Sequence, residues 1–520
     1  MRKGYINANI LKSADTAFLV DDNTIVKTGT DAEISRLLTI DEEIIDLQGM
    51  AVVPGFVDTH MHLLELGSYL YHARLAGCTS CAEIVSRLKA FANSSKMKGW
   101  IKGRGYNEDL FTTDEKPDKA LLDSVSTEYP VVITRACGHL LVANSKALEL
   151  AGITEETQVE GGRIDFEKGI VEENAIPLIH NAEPAPDEAM LEAYIKEGAS
   201  FCSRYGITTV GSDDFLSVVH DWRPVLNVFE KMSFQEELDV RINEQCEFSS
   251  PKEFASFLDE GYTTDVGNDF FRIGPLKLIT DGSLGARTAA LAKPYCDAPG
   301  QSGYMSMSEE DIRLYAELAS RFNMPVICHA IGDDAVDTCI RVLKDVVYEG
   351  NPLHSGLVHL QILRPEQIRR IIDLKLSCYY QTLFIDYDAT ILKDRVGSLA
   401  DSCYPYASLF RGTLCSNGSD APVEVPDVLK GIQLAVTRKS THEGFAMNPE
   451  ECLTVEEALD SYTVNGARQF FMDDRIGAVK AGMYADFAVL SQDILHCDPE
   501  NIMNTKVMMT VMNGRTVFER

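Results

Sequence analysis

Apolar and polar positions fall into two patterns along this chain. From residue 1 to about 52, short β-prone pieces alternate with turn signals: Thr16-Ala17-Phe18-Leu19-Val20, Thr24-Ile25-Val26-Lys27 and Glu43-Ile44-Ile45-Asp46-Leu47 are separated by Asp21-Asp22-Asn23 and Gly29. The end of the chain repeats the pattern in 485–490, 507–511 and 515–518, with Asn513-Gly514 as a hairpin turn between the last two. Two β-rich termini predict one small sheet domain assembled from residues 1–52 and 471–520.

The middle, residues 53–470, reads differently. Val53-Pro54-Gly55-Phe56-Val57-Asp58-Thr59-His60-Met61-His62 is an apolar run that opens on Pro-Gly and closes on a His-x-His pair, the pattern of a buried parallel strand. Further strands are predicted over 207–212, 239–244, 273–279, 325–329, 356–360, 376–381 and 412–416, with helical patterns between them. One such helix, 188–205, places Leu191, Tyr194, Ile195, Ala199, Cys202 and Tyr205 near one face and stops at Gly206. Eight strands alternating with helices predict an α/β chain built on a (β/α)8 TIM barrel, whose active site lies at the C-terminal strand ends. An insertion over roughly 70–186 follows the first strand, too long for an ordinary loop, and is expected to fold as an active-site cover.

Composition narrows the function. With 520 residues, 45% of them hydrophobic, the chain can bury one large core with a smaller one attached. Its formal net charge of -31 argues against nucleic acid or an anionic membrane as partner, since both reward basic patches. No apolar run approaches the roughly 18 to 20 residues of a membrane helix, and the start lacks a signal-peptide core, so a cytoplasmic protein is expected. The 13 cysteines are odd in number and scattered along the chain, which argues against a disulfide framework.

The candidate chemistry sits at the predicted strand ends. His60 and His62 have the spacing that puts both rings on one side of an extended chain, so they could share a metal ion. Alone, such a pair is compatible with ordinary surface or core residues. Later strands add Lys277, His329, His359 and Asp420, so that four histidines, one lysine and one aspartate converge on one rim. A lysine inside an apolar strand must be paired or neutralised. Asp281 could supply an ion pair; alternatively, carboxylation by CO2 would give an anionic carbamate able to bridge two cations, and the surrounding histidines favour that reading. Two such ions would activate a water and polarise a carbonyl. Asp420 could carry the proton from that water to the leaving group, or act only as a ligand or a helix cap ahead of Pro422.

These motifs together resemble the amidohydrolase superfamily, specifically its YtcJ-like branch, which includes N-substituted formamide deformylases. The matching segments are Pro-Gly-Phe-Val-Asp-Thr-His-Met-His at 54–62, Gly-His-Leu-Leu-Val-Ala-Asn-Ser-Lys-Ala-Leu at 138–148 and Leu-Lys-Leu-Ile-Thr-Asp-Gly-Ser-Leu-Gly-Ala-Arg-Thr-Ala at 276–289. Cys-His-Ala-Ile-Gly-Asp at 328–333, Val-His-Leu-Gln at 358–361, Gly-Ser-Asp-Ala-Pro-Val-Glu at 418–424 and the finish at 476–490, which looks like the superfamily's return into its small β-sandwich, extend the resemblance over nearly the whole chain. It implies a metal-dependent hydrolase with His60, His62, Lys277, His329, His359 and Asp420 at the ligand positions, and two zinc ions bridged by carboxylated Lys277. His139 matches a residue expected to steady the developing oxyanion, with a buried structural histidine as the alternative. Asp281, Arg287 and Gln381 are further candidates for orienting substrate. Val358 and Leu360 depart from the Glu and Ala usual around the sixth-strand histidine, which bears on how that ligand is held.

The expected activity is cleavage of a C–N bond in an amide-like small molecule by a metal-activated water. The same barrel end could serve an ester, lactone or cyclic amide, and a catalytically silent scaffold is a third reading, though no ligand is missing. Leu63, Leu64 and Leu66 with Tyr69 and Tyr71 form either an apolar mouth or core. A homodimer is expected by analogy with large acidic barrels.

Overall fold

The computed structural model describes residues 2–520 apart from 95, 98, 136–139, 160, 161, 174 and 443. Its main sheet has eight strands: β1 (Phe56–Met61), β2 (Ile207–Ser212), β3 (Arg241–Cys246), β4 (Phe271–Ile279), β5 (Val326–Ala330), β6 (Gly356–His359), β7 (Ser377–Tyr380) and β8 (Cys415–Asn417). Neighbours in sequence are neighbours in the sheet, and every pair is parallel. Helices follow most strands and cover the outer face, which leaves β1, β2 and β3 buried at every position. This is the TIM-barrel architecture, and its strand boundaries lie within about three residues of the sequence reading.

Closure of the barrel falls to β1 and the segment around β8. Thr59 Oγ1 donates to the Asn417 carbonyl at 3.0 Å, the Asp420 amide to the His60 carbonyl at 2.8 Å, and the His62 amide to the Ala421 carbonyl at 2.8 Å. The approach requires glycine at 418, where a Cβ would come within 2.6 Å of the His60 amide nitrogen and 2.7 Å of its carbonyl oxygen. The seam thus carries His60, His62 and Asp420 to one place.

Residues 53–62 are not one barrel strand: Ala51–Pro54 pairs in a different sheet, Gly55 donates to the Asp486 carbonyl at 2.9 Å, and only Phe56–Met61 enters the barrel. A continuous apolar run records burial but not which sheet does the burying.

That other sheet has five strands, ordered Asn9–Ile10, Ala51–Pro54, Phe487–Leu490, Val507–Met512 and Arg515–Glu519. A four-stranded sheet from Arg2–Ile6, Ala17–Asp21, Thr24–Gly29 and Glu43–Asp46 shares a core with it, in which Tyr5, Phe18 and Phe487 meet at ring-centroid distances of 4.9 to 5.0 Å. Asn513 and Gly514 both have positive φ, 53° and 73°, as a two-residue hairpin turn requires. Arg241 at the start of β3 ties this end to the barrel through a buried pair with Asp486 at 2.6 and 3.0 Å.

Residues Leu66–Glu197 form a separate compact unit, wider at both ends than the insertion read from the sequence. Its six-stranded sheet is ordered Gly162–Asp165, Ile170–Glu173, Leu140–Ala143, Val131–Arg135, Ile101–Tyr106 and Ala73–Arg74, with hydrophobic cores of its own around Leu75, Ile133 and Leu88 and around Leu141, Leu148 and Val171. Leu63, Leu64, Leu66 and Tyr71 are all buried, so these side chains are core. The twelve cysteines among the described residues are free thiols. No helix among the described residues is long and apolar enough to cross a membrane.

Candidate metal centre

The ends of β1, β4, β5 and β6 and the loop after β8 bring the predicted residues together. His60 Nε2 and His62 Nε2 lie 3.2 and 3.3 Å from the same oxygen of Asp420. Among the described residues, these three form a group whose ligand atoms all lie within 4.8 Å of one another. The His359 ring centroid is 5.4 Å from that of His60 and 4.4 Å from that of His329. His359 and Asp420 adopt the left-handed backbone region, φ 76° and 58°, a conformation that costs non-glycine residues of order 1–3 kcal/mol each and clusters at functional sites.

The side chains polarise one another. Burial alone would lower His62, but its hydrogen bond to Asp420 and the charges of Asp213 and Asp420 push it up to about 10. Burial opposes ionisation of Asp420, yet the neighbouring imidazoles of His60, His62 and His359 hold it well below the usual carboxylate range. His60 and His359 are lowered, first by burial and then by neighbouring cations, and so are neutral imidazoles at neutral pH.

Lys277 has the partner its burial demands, and it is a residue the sequence reading did not single out. Its Nζ lies 2.9 Å from Asp213 Oδ2, just past β2. Burial would lower the lysine, but Asp213 more than reverses that and raises it. The Asp213 carbonyl also accepts from His62 Nδ1 at 2.7 Å, so one residue touches both groups. An acidic residue directly after a barrel strand, in Ser212-Asp213-Asp214, was the available signal.

Asp281 is not the ion-pair partner of Lys277. Its carboxylate accepts from the amides of Ala290, Ile331 and Gly332 at 2.9, 3.1 and 2.8 Å, which joins the loops after β4 and β5. Arg287 pairs with Asp297 at 2.8 Å. Gln381 lies within reach of the site but uses its Oε1 on His359 Nδ1 at 2.8 Å. On the other side of the cluster, Gln245 does the same for His60 at 2.6 Å. His329 Nε2 faces the Gly282 carbonyl at 3.1 Å and Asp281 at 3.4 Å. His139 lies outside the described residues.

The donor set fits a divalent cation. His60 Nε2 is buried and has no hydrogen-bond partner, while its Nδ1 is occupied; a bare imidazole nitrogen beside a second imidazole and an ionised carboxylate is the donor arrangement that zinc and related ions take.

The amidohydrolase family's sequence profile matches residues 43–518. The chain belongs to the amidohydrolase family. It is 31% identical over 515 residues to the putative amidohydrolase YtcJ of Bacillus subtilis, covering 97% of this chain and 96% of the relative. An N-substituted formamide deformylase of Arthrobacter pascens is 24% identical over 544 residues, covering 99% and 98%. A solved structure described as an uncharacterized metal-dependent hydrolase from Pyrococcus horikoshii superposes with a TM-score of 0.81 at 28% identity, covering 96% of this chain and 99% of that one. This amidohydrolase is therefore a metal-dependent hydrolase. Within it, the unusual Val358 and Leu360 are both fully buried, and Val358 packs with Val57, Ile327 and Tyr379 inside the barrel.

Proposed function

We propose that this amidohydrolase cleaves a C–N bond of an amide-like small molecule, an N-acyl or N-formyl compound. The observation that carries the reading is the meeting of His60 Nε2 and His62 Nε2 on one Asp420 oxygen at the C-terminal end of the barrel, with His60 Nε2 otherwise unpartnered. The relatives support the bond type: one is a putative amidohydrolase and another is named an N-substituted formamide deformylase.

His60, His62 and Asp420 would hold one divalent ion and His329 and His359 a second, with carboxylated Lys277 shared between the two and zinc suited to the donors. A divalent ion supplies Lewis acidity and lowers the pKa of water toward neutrality. Asp420 would take the proton of the attacking water and return it to the leaving nitrogen. For Lys277 to be carboxylated it must leave Asp213 as a neutral amine, losing one proton as the new N–C bond forms. His139 is assigned the developing oxyanion by its place in the family pattern.

The test is metal analysis on protein produced with ample zinc and bicarbonate, beside Lys277→Ala, followed by a screen of N-formyl and N-acyl amines against esters and lactones. The bridged site predicts about two ions, falling to one or fewer in the variant. One ion in both proteins removes Lys277 from the site; none in either, or turnover unaffected by chelation, overturns the metal-dependent reading.

A further inference from the structure

His60 and His359 are the most buried of the four histidines, and each has its Nδ1 against a glutamine from a different part of the barrel. Gln245 comes from β3 and Gln381 follows β7; both are completely buried. Neither amide is free to turn over. Gln245 Nε2 donates to the Thr59 carbonyl at 2.8 Å, and Gln381 Nε2 donates to the Tyr379 carbonyl at 3.2 Å. A flipped amide would set its oxygen against a carbonyl oxygen and its NH2 against the ring. The amide oxygen therefore faces each imidazole, Nδ1 carries the hydrogen, and the lone pair is left on Nε2.

We propose that Gln245 and Gln381 are positioning residues that fix His60 and His359 as neutral Nε2 donors, and that their being amides rather than carboxylates keeps negative charge off the metal centre. The proposal rests on the metal-site reading above. A glutamate has nearly the same shape and would accept the same Nδ1 hydrogen, but it would add charge and make the imidazole more basic. It would also lose the donor that the Thr59 or Tyr379 carbonyl now uses. A group that merely filled space could be replaced by any side chain of similar volume; a group that sets a tautomer must keep an acceptor.

The experiment compares zinc affinity, measured by competition with a chromophoric chelator, for the full-length wild type, Gln245→Met, Gln245→Glu, Gln381→Met and Gln381→Glu. Each protein is first checked for wild-type secondary structure and melting behaviour. The Met variants keep the volume without the acceptor and should bind zinc about 10- to 100-fold more weakly. The Glu variants should recover most of that affinity, and turnover of any substrate found should fall without a matching change in KM. A folded Met variant that binds zinc as tightly as the wild type overturns the assignment for its own glutamine, as does a Glu variant no better than the Met variant. Absence of zinc binding by the wild type would instead count against the metal site itself, so the two failures are told apart. Where a Glu variant does not fold, Gln→Asn at the same position, which shortens the acceptor's reach, should weaken zinc binding as Met does; undiminished binding overturns the proposal.

Discussion

Lys277 Nζ and Asp213 Oδ2 lie 2.9 Å apart with both side chains no more than 2% exposed. Neither charge could stay buried alone at that depth without a penalty of several kcal/mol. The pair joins the end of β4 to the loop after β2, two strands away, at the base of the histidine cluster.

Removing one partner strands the other. Asp213→Ala should destabilise chelator-treated protein by about 3–5 kcal/mol, while Lys277→Met in the same background should recover much of the loss. Chemical denaturation of the two single variants and the double variant measures the coupling; simple additivity would show that the pair contributes none.

Asp420→Asn keeps the side chain's shape but removes its charge and its capacity to take a proton. Turnover should fall by about 10²-fold or more with the melting temperature little changed. Steady-state kinetics on a substrate from the amide screen, with metal content measured in parallel, checks it. Undiminished turnover would remove Asp420 from proton transfer.

Gly418→Ala should damage the site from outside the ligand set. The added Cβ would meet the His60 backbone at 2.6 and 2.7 Å, and backbone in a closed barrel cannot easily give way. A lower melting temperature together with weaker metal retention is the expected result. Wild-type values for both would mean that the seam can open by several tenths of an ångström at no cost.

Asp388 supplies a pH signature remote from the ligands in sequence. Burial lifts its carboxyl from an ordinary 3.8 to about 6, against the hydrogen bond donated by Tyr404 at 2.5 Å. Between those values the folded chain holds a proton that the unfolded chain has released, so this group's contribution to stability falls as pH rises through the window. Asp388→Asn removes the titration. The stability of the variant relative to wild type should therefore shift in the variant's favour by up to about 3 kcal/mol between about pH 4 and pH 7. A difference that stays constant across that range would contradict the assignment.

The sequence by itself determined the barrel and the ligand candidates, because both are written in local pattern. Apolar runs of strand length separated by helical periodicity predict parallel β/α units, and His60 and His62 are two residues apart on a strand that ends the run. Asn513-Gly514 predicted its hairpin for the same reason: the turn depends on two adjacent residues. The tertiary structure decided who holds whom. Lys277 and Asp213 are 64 residues apart and His60 and Gln245 are 185 apart, distances at which periodicity carries no information about register. Asp281 looked like the lysine's partner because it is near in sequence, but the strand ends point it at the amides of the next loop. Pro54-Gly55 looked like the opening of a barrel strand, yet the chain changes sheets there. Hydrophobic pattern records whether a segment is buried, and only closure of the barrel fixes which polar groups are buried together.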